Sequence, residues 1–370
     1  MNAIKNNIFN IIESSSPHLK WIKESSIFLT KSGSHAYGTS TPSSDKDFKG
    51  IMIPPKKYYF GLENIEQIEL SAPNPDVVIY EIKKFFKLAI DNSPNCIEIL
   101  YTDPSDHVFV SPIGEIVLEN KDLFLSKKMK FTFSGYAVSQ LKRIKLHKKY
   151  LLNPPTIYPT RLECGLDEQT TIPQDQLMAV AAEIQKNLDR FQFDFLEGYD
   201  DSVKIGMREI MSEMLAELKI TTEEQWISAA RKVGLNDNFI EFMQKERAYA
   251  SKKREWDQYV NWKETRNPAR HALEEKFGYD TKHAYHLVRL IRMCKETMLT
   301  GKVLVKRPDR EELLAIRDGA WSYEQLIEFA ESQEKELDGI YNISNVLPKI
   351  PNRKLLDELC IKLIETSLSK

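Results

Sequence analysis

Between Ser32 and Ile53 the chain reads SGSHAYGTSTPSSDKDFKGIMI. A Gly-Ser pair, a loop of Thr, Ser and Pro, and two aspartates two residues apart run straight into an apolar segment. No other stretch restricts the fold as much. The β-prone run Ile27 to Thr30 delivers the chain to Gly33-Ser34. Asp47 to Ile53 reads as a second strand, stopped by Pro54-Pro55. Gly33 lets the backbone approach a ligand closely. Ser34 offers an N–H and a hydroxyl, and a helix beginning near His35 would add its positive end. Strand alternation puts Asp45 and Asp47 on one face, about 7 Å apart along the chain. Two carboxylates on a rigid face suit Mg²⁺, which prefers one or two carboxylates plus substrate phosphates to a full protein cage. A metal beside a phosphate cradle points to phosphoryl or nucleotidyl transfer. SDxD after a loop is also ordinary turn chemistry. The upstream Gly-Ser pair and an Asp-led strand downstream favour the site.

That later strand is DVVIYEI, Asp76 to Ile82. Two metals about 4 Å apart usually need a third carboxylate, and Asp76 is the candidate. Glu81, on the opposite face of the same strand, and Glu98, on an expected helix, are its rivals. After about residue 110 the pattern turns helical. Met129 to Lys149 places Phe133, Ala137, Leu141 and Ile144 on one face, and Thr281 to Thr300 is a strong helix ended by Gly301. The fold class is therefore α+β: a small sheet domain over 1–110, then a larger, mostly helical domain over 111–370. A net charge of -2 gives no bulk attraction to nucleic acid or membrane. Four scattered cysteines without a CxxC argue against zinc and disulfide frameworks. No apolar run reaches membrane-spanning length. A cytoplasmic protein is expected.

Several cationic stretches have two readings. Lys282, His286 and Arg289 share one face of the 281–300 helix, either solvated or turned to a ligand. Lys252 to Arg270 interleaves basic residues with Trp256, Tyr259 and Trp262, as in a surface that stacks unpaired bases or in an ordinary amphipathic helix. Lys142 to Lys149 is a second such basic surface. Arg161, within PTRLECGL, is a possible phosphate contact. His18, His107, His147 and His271 show no ligand spacing.

Taken together, Gly33-Ser34, Asp45, Asp47 and Asp76 resemble the signature of the polymerase-beta nucleotidyltransferase superfamily. GSHAYGT, SDKDFKGI, DVVIYEIKKF, NSPNCIEILY, GYDTKHAYHLVRLIRM and IRDGAWSYEQL resemble its RNA-ligase-associated branch. The resemblance covers about 26–160 and 255–330, and leaves 165–250 as a helical segment of its own. It implies a small mixed sheet, an NTP substrate, two Mg²⁺ ions with Mn²⁺ able to substitute, and release of pyrophosphate. Lys282, His286 and Arg289 would then serve the nucleotide. The acceptor it implies is an RNA end, such as a tRNA 3′ end, in RNA repair. NMP transfer to a protein or small-molecule hydroxyl, and a non-catalytic nucleotide- or RNA-binding module, are the alternatives.

Overall fold

The computed structural model describes residues 2–42, 44–71, 75–170, 172–193, 223–266 and 268–369. Its strands are β1 Ser26–Ser32, β2 Asp47–Met52, β3 Gln67–Leu70, β4 Asp76–Glu81 and β5 His107–Val110. They form one sheet in the order β3-β4-β2-β1-β5. β1 lies antiparallel to β2 and β5, β2 parallel to β4, and β3 antiparallel to β4. The sheet is mixed, as expected. The helices that bear on the site are α1 Asn2–Ser15, α2 Gly33–Tyr37, α3 Ile82–Ile90, α4 Pro94–Leu100, α5 Met129–Leu152, α6 Asp237–Thr265, α7 Pro268–Phe277 and α8 Thr281–Thr300.

Alternation sorts the strand side chains onto two faces. Leu29, Phe48, Met52, Val77 and Ile79 bury against Ile8, Phe9 and Ile12 of α1. The sequence suggests Ile4, Ile8 and Ile11 as the inner stripe of that helix. Instead Ile4 is 41% exposed while Phe9 and Ile12 are fully buried. The stripe is rotated toward the largest ring available. On the other face Phe28, Ile51 and Tyr80 join Phe85 of α3, Ile97 of α4 and Val288 of α8 in the main core. Asp47, two residues before Lys49 and four before Ile51, belongs to this second face.

The division of the chain falls elsewhere than near residue 110. Residues 1–152 and 267–370 form one compact unit, and 153–266 another. The reason is packing: α5 and α8 lie along each other, and a single core runs from Ile27 to Leu363. The 153–266 unit has its own small core of Ile184, Trp226, Ala230, Ile240 and Met243. The described part of the segment expected at 165–250 falls wholly in that unit. Residues 194–222, with the helix break expected at Asp200-Asp201, lie outside the described residues.

Candidate active site

Asp47 is the first residue of β2. In the antiparallel ladder its partner is Ser32, the last residue of β1. In the parallel ladder its partner is Asp76, the first residue of β4. Ser32, Asp47 and Asp76 thus form one row across the sheet. Gly33 follows Ser32 and opens α2 with φ +61°, and a Cβ built on it would overlap the Asp47 carboxylate. Glycine is what lets this turn rest on the acid. Asp45 is exposed and precedes the strand, so strict alternation begins only at Asp47. Burial, then the charges of Asp76 and Asp45, push the Asp47 carboxyl up, while Lys49 and Lys282 pull it down. Like carboxylates held side by side at a glycine-backed turn are a hard, oxygen-only donor set. Among the described residues they are adjacent rather than converged: their oxygens do not all come within 4.8 Å of one another.

The rival carboxylates have other partners. Glu81 is buried, accepts from Tyr59 Oη at 2.8 Å and caps α3 by accepting from the Lys84 N–H at 3.0 Å. Glu98, on α4 as expected, accepts from Tyr37 Oη at 2.6 Å and pairs with Arg289.

Helix α8 supplies the cationic side. Its N-cap is Asp280, whose side chain accepts from the His283 N–H. Lys282 is half-buried. Burial lowers its pKa, Arg270 and Arg317 add to this, and Asp45 and Asp280 oppose it. It therefore stands between a group of cations and the acidic row. His286 lines a cavity of about 190 Å³ with Asn95, Gln140, Arg143, Arg270 and Arg289. Burial, then Arg289 and Lys282, hold the His286 imidazole well below its usual pKa.

Arg289 does not lie on a solvated face. It is buried, ion-paired with Glu98, and its guanidinium lies 3.7 Å from the centre of the Tyr37 ring. It ties α8 to α2 and α4. Thr39 Oγ1 and Tyr285 Oη share a 2.6 Å hydrogen bond, and Arg310 Nε donates to Gly38 O at 2.9 Å. The C-terminal end of the short helix that Gly33 opens is thus held by residues late in the chain.

Two participants had weak signals in the sequence. Lys49 shares the Asp47 face, and its Nζ donates to Asn95 Oδ1 at 2.9 Å; strand alternation alone would have flagged it. Arg270 closes the basic stretch that starts at Lys252, yet α6 ends at Thr265 and Pro268 starts α7, so it belongs to the unit that carries the sheet. No local pattern announces that. Arg161 is not available as a phosphate contact. Its Nη atoms donate to Glu246 at 3.0 and 2.6 Å, and its Nε to Asp167 O at 2.8 Å. Trp256, Tyr259 and Trp262 are half-buried and follow one another along α6, with ring centroids 6.3 and 6.0 Å apart.

A mixed sheet with a glycine turn and aspartates at adjacent strand ends is the arrangement that the resemblance to polymerase-beta-like nucleotidyltransferases implies. Residues 1–161 match the model of the family described as RNA repair pathway DNA polymerase beta family, RlaP, a match that supports a polymerase-beta-like nucleotidyltransferase family for this segment. A stretch of 123 residues is 34% identical to an uncharacterized 38.9 kDa protein from the nrdC-mobD intergenic region of Enterobacteria phage T4. The match covers 30% of this chain and 36% of the phage protein. No solved structure matches the chain.

Proposed function

We propose that the protein transfers an NMP from an NTP to an acceptor hydroxyl with release of pyrophosphate, and that the acceptor is an RNA 3′ end. The observation that carries this is the row formed by Ser32, Asp47 and Asp76, with Gly33 set against Asp47. The family of the N-terminal segment supports the reaction class and an RNA repair setting.

In this reading Asp45, Asp47 and Asp76 hold two Mg²⁺ ions, with Mn²⁺ able to replace them. Bound there, the ions neutralise the phosphates and lower the pKa of the attacking hydroxyl. Gly33 and Ser34 hold the triphosphate by backbone and hydroxyl. Lys282 and His286 orient it, with Lys282 supplying charge. Arg289 forms the cavity wall behind them. Asp76 is exposed at the end of β4, so an acceptor can reach it from solvent. Its carboxylate takes the proton as the acceptor oxygen bonds to the α-phosphorus. The bond from that phosphorus to the β-bridging oxygen breaks, and pyrophosphate leaves.

The test is incubation of the protein with each α-labelled NTP, Mg²⁺ and total RNA. Label in RNA, lost in Asp45→Ala and Asp47→Ala, is the expected result. Label in protein would move the acceptor to a protein hydroxyl. Nucleotide binding without pyrophosphate release would refute the transferase reading.

A further inference from the structure

A second group of metal-type ligands lies away from the acidic row. His147 on α5, and Asp280 and His283 at the start of α8, each present one ligand atom within 4.8 Å of the others. Each histidine is held from behind. His147 Nδ1 pairs with Glu274 Oε1 at 2.9 Å, and Glu274 is buried. His283 Nδ1 pairs with Gln140 Oε1 at 2.6 Å. This is the outer support that fixes the tautomer of metal-bound histidine and directs its Nε2 to an ion. Asp280 uses Oδ1 to cap α8 at 3.0 Å. Its Oδ2 is fully buried with no hydrogen-bond partner, and lies 3.4 Å from His283 Nε2. Ligand bonds of about 2.0–2.1 Å give a tetrahedral edge of roughly 3.3 Å, so this pair is already spaced for zinc.

We propose that His147, Asp280 and His283 bind a divalent transition ion of the zinc type. Two nitrogens and one carboxylate leave a fourth position for water. One cation already attends the group: Arg270 Nη1 lies 2.9 Å from His283 Nε2 and 3.6 Å from Asp280 Oδ2. The ion replaces that guanidinium, cation for cation. Arg270 withdraws into the cavity it already lines, and the wider ligand separations close. The three ligands are far apart in sequence, which is why His147 shows no ligand spacing.

The full chain, stripped with chelator and held in excess Mg²⁺ to mask the acidic row, should take up one Zn²⁺ by calorimetry. Co²⁺ in its place should give the intense visible bands of a tetrahedral ion. His147→Ala should weaken Zn²⁺ binding by about tenfold or more, with His147→Gln as a second variant should the first fail to fold. Arg270→Met should bind Zn²⁺ more tightly than the unmodified protein, the opposite of what loss of a merely structural arginine would do. Absence of a Zn²⁺ equivalent, unchanged affinity in the His147 variants, or no gain in Arg270→Met would each overturn the proposal.

Discussion

Gly33→Ala is the most discriminating single change at the acidic row. Gly33 has φ +61°, a conformation that costs an L-residue about 1–2 kcal/mol. Its new Cβ would also overlap the Asp47 carboxylate, so the acid must turn away from the row. Gly38, the C-cap at the other end of α2, supplies the control. It has φ +73°, yet a Cβ there meets nothing nearer than Lys306 Cγ at 3.7 Å. Gly38→Ala therefore carries the backbone strain without the collision. Both variants should lose about 1–2 kcal/mol, or about 2–4 °C of melting temperature per kcal/mol in a unit of this size. Displacing a reacting group by about 1 Å costs on the order of 10²-fold, about 2.7 kcal/mol of barrier. Gly33→Ala should accordingly lose about 100-fold or more in NMP transfer, and Gly38→Ala less than about tenfold. Denaturant unfolding and label transfer from an α-labelled NTP measure the two quantities. Equal activity losses in the two variants would refute the reasoning, because the glycine would then serve only the turn.

Asp47→Asn should abolish transfer while leaving the unfolding midpoint at pH 7 unchanged or higher. Burial, then Asp76, raise the Asp47 pKa, so its ionisation costs folded stability and the amide removes that cost; a lower midpoint would contradict this. Glu98→Ala should lose about 3–5 kcal/mol in denaturant unfolding, since it strands a buried Arg289; a loss under about 1 kcal/mol would mean that Arg289 finds another partner. Lys282→Ala should raise the KM for NTP by about tenfold with little change in melting, as loss of one charge-assisted phosphate contact does. Burial raises the Asp309 pKa, but hydrogen bonds from Arg307 and Arg292 outweigh it and hold the carboxyl below its ordinary 3.8. Its contribution is present above that ordinary value and lost as pH falls through the lower folded value, so the stability gap between the unmodified protein and Asp309→Asn should shrink in acid; a gap independent of pH would sink the assignment.

What the sequence made legible was local. Gly33-Ser34, Asp45, Asp47 and Asp76 could be read because turn chemistry and strand alternation act over a few residues, and the register then sets Asp47 beside Asp76. Lys49, two residues beyond Asp47 on the same strand, is equally legible by that alternation. The cavity was not, because Arg143, Arg270 and Arg289 come from α5, α7 and α8, and their convergence is tertiary. Arg289 misleads for a related reason. Helical spacing groups it with Lys282 and His286, but only the packing of α8 reveals Glu98 opposite it, and that pair turns an apparent surface charge into a buried one. The division of the chain escaped for the same cause. Composition changes near residue 110, whereas the core that decides the boundary joins Ile27 to Leu363.

That discontinuous unit has a consequence for how the protein is made. On the ribosome, the sheet with its glycine turn and aspartates emerges long before the helix that covers it. Phe85, Ile97 and Phe133 share a core with Leu287, Val288 and Leu290 of α8, which leave the exit tunnel only after the whole of 153–266. At about 5–20 residues per second that interval lasts several seconds or more. Through it a half-finished core would face solvent or a chaperone, while the 153–266 unit, with its own small core, can fold meanwhile. A piece ending where the family match ends, at residue 161, would carry Asp45, Asp47 and Asp76 on a sheet whose inner core lacks Leu287, Val288 and Leu290.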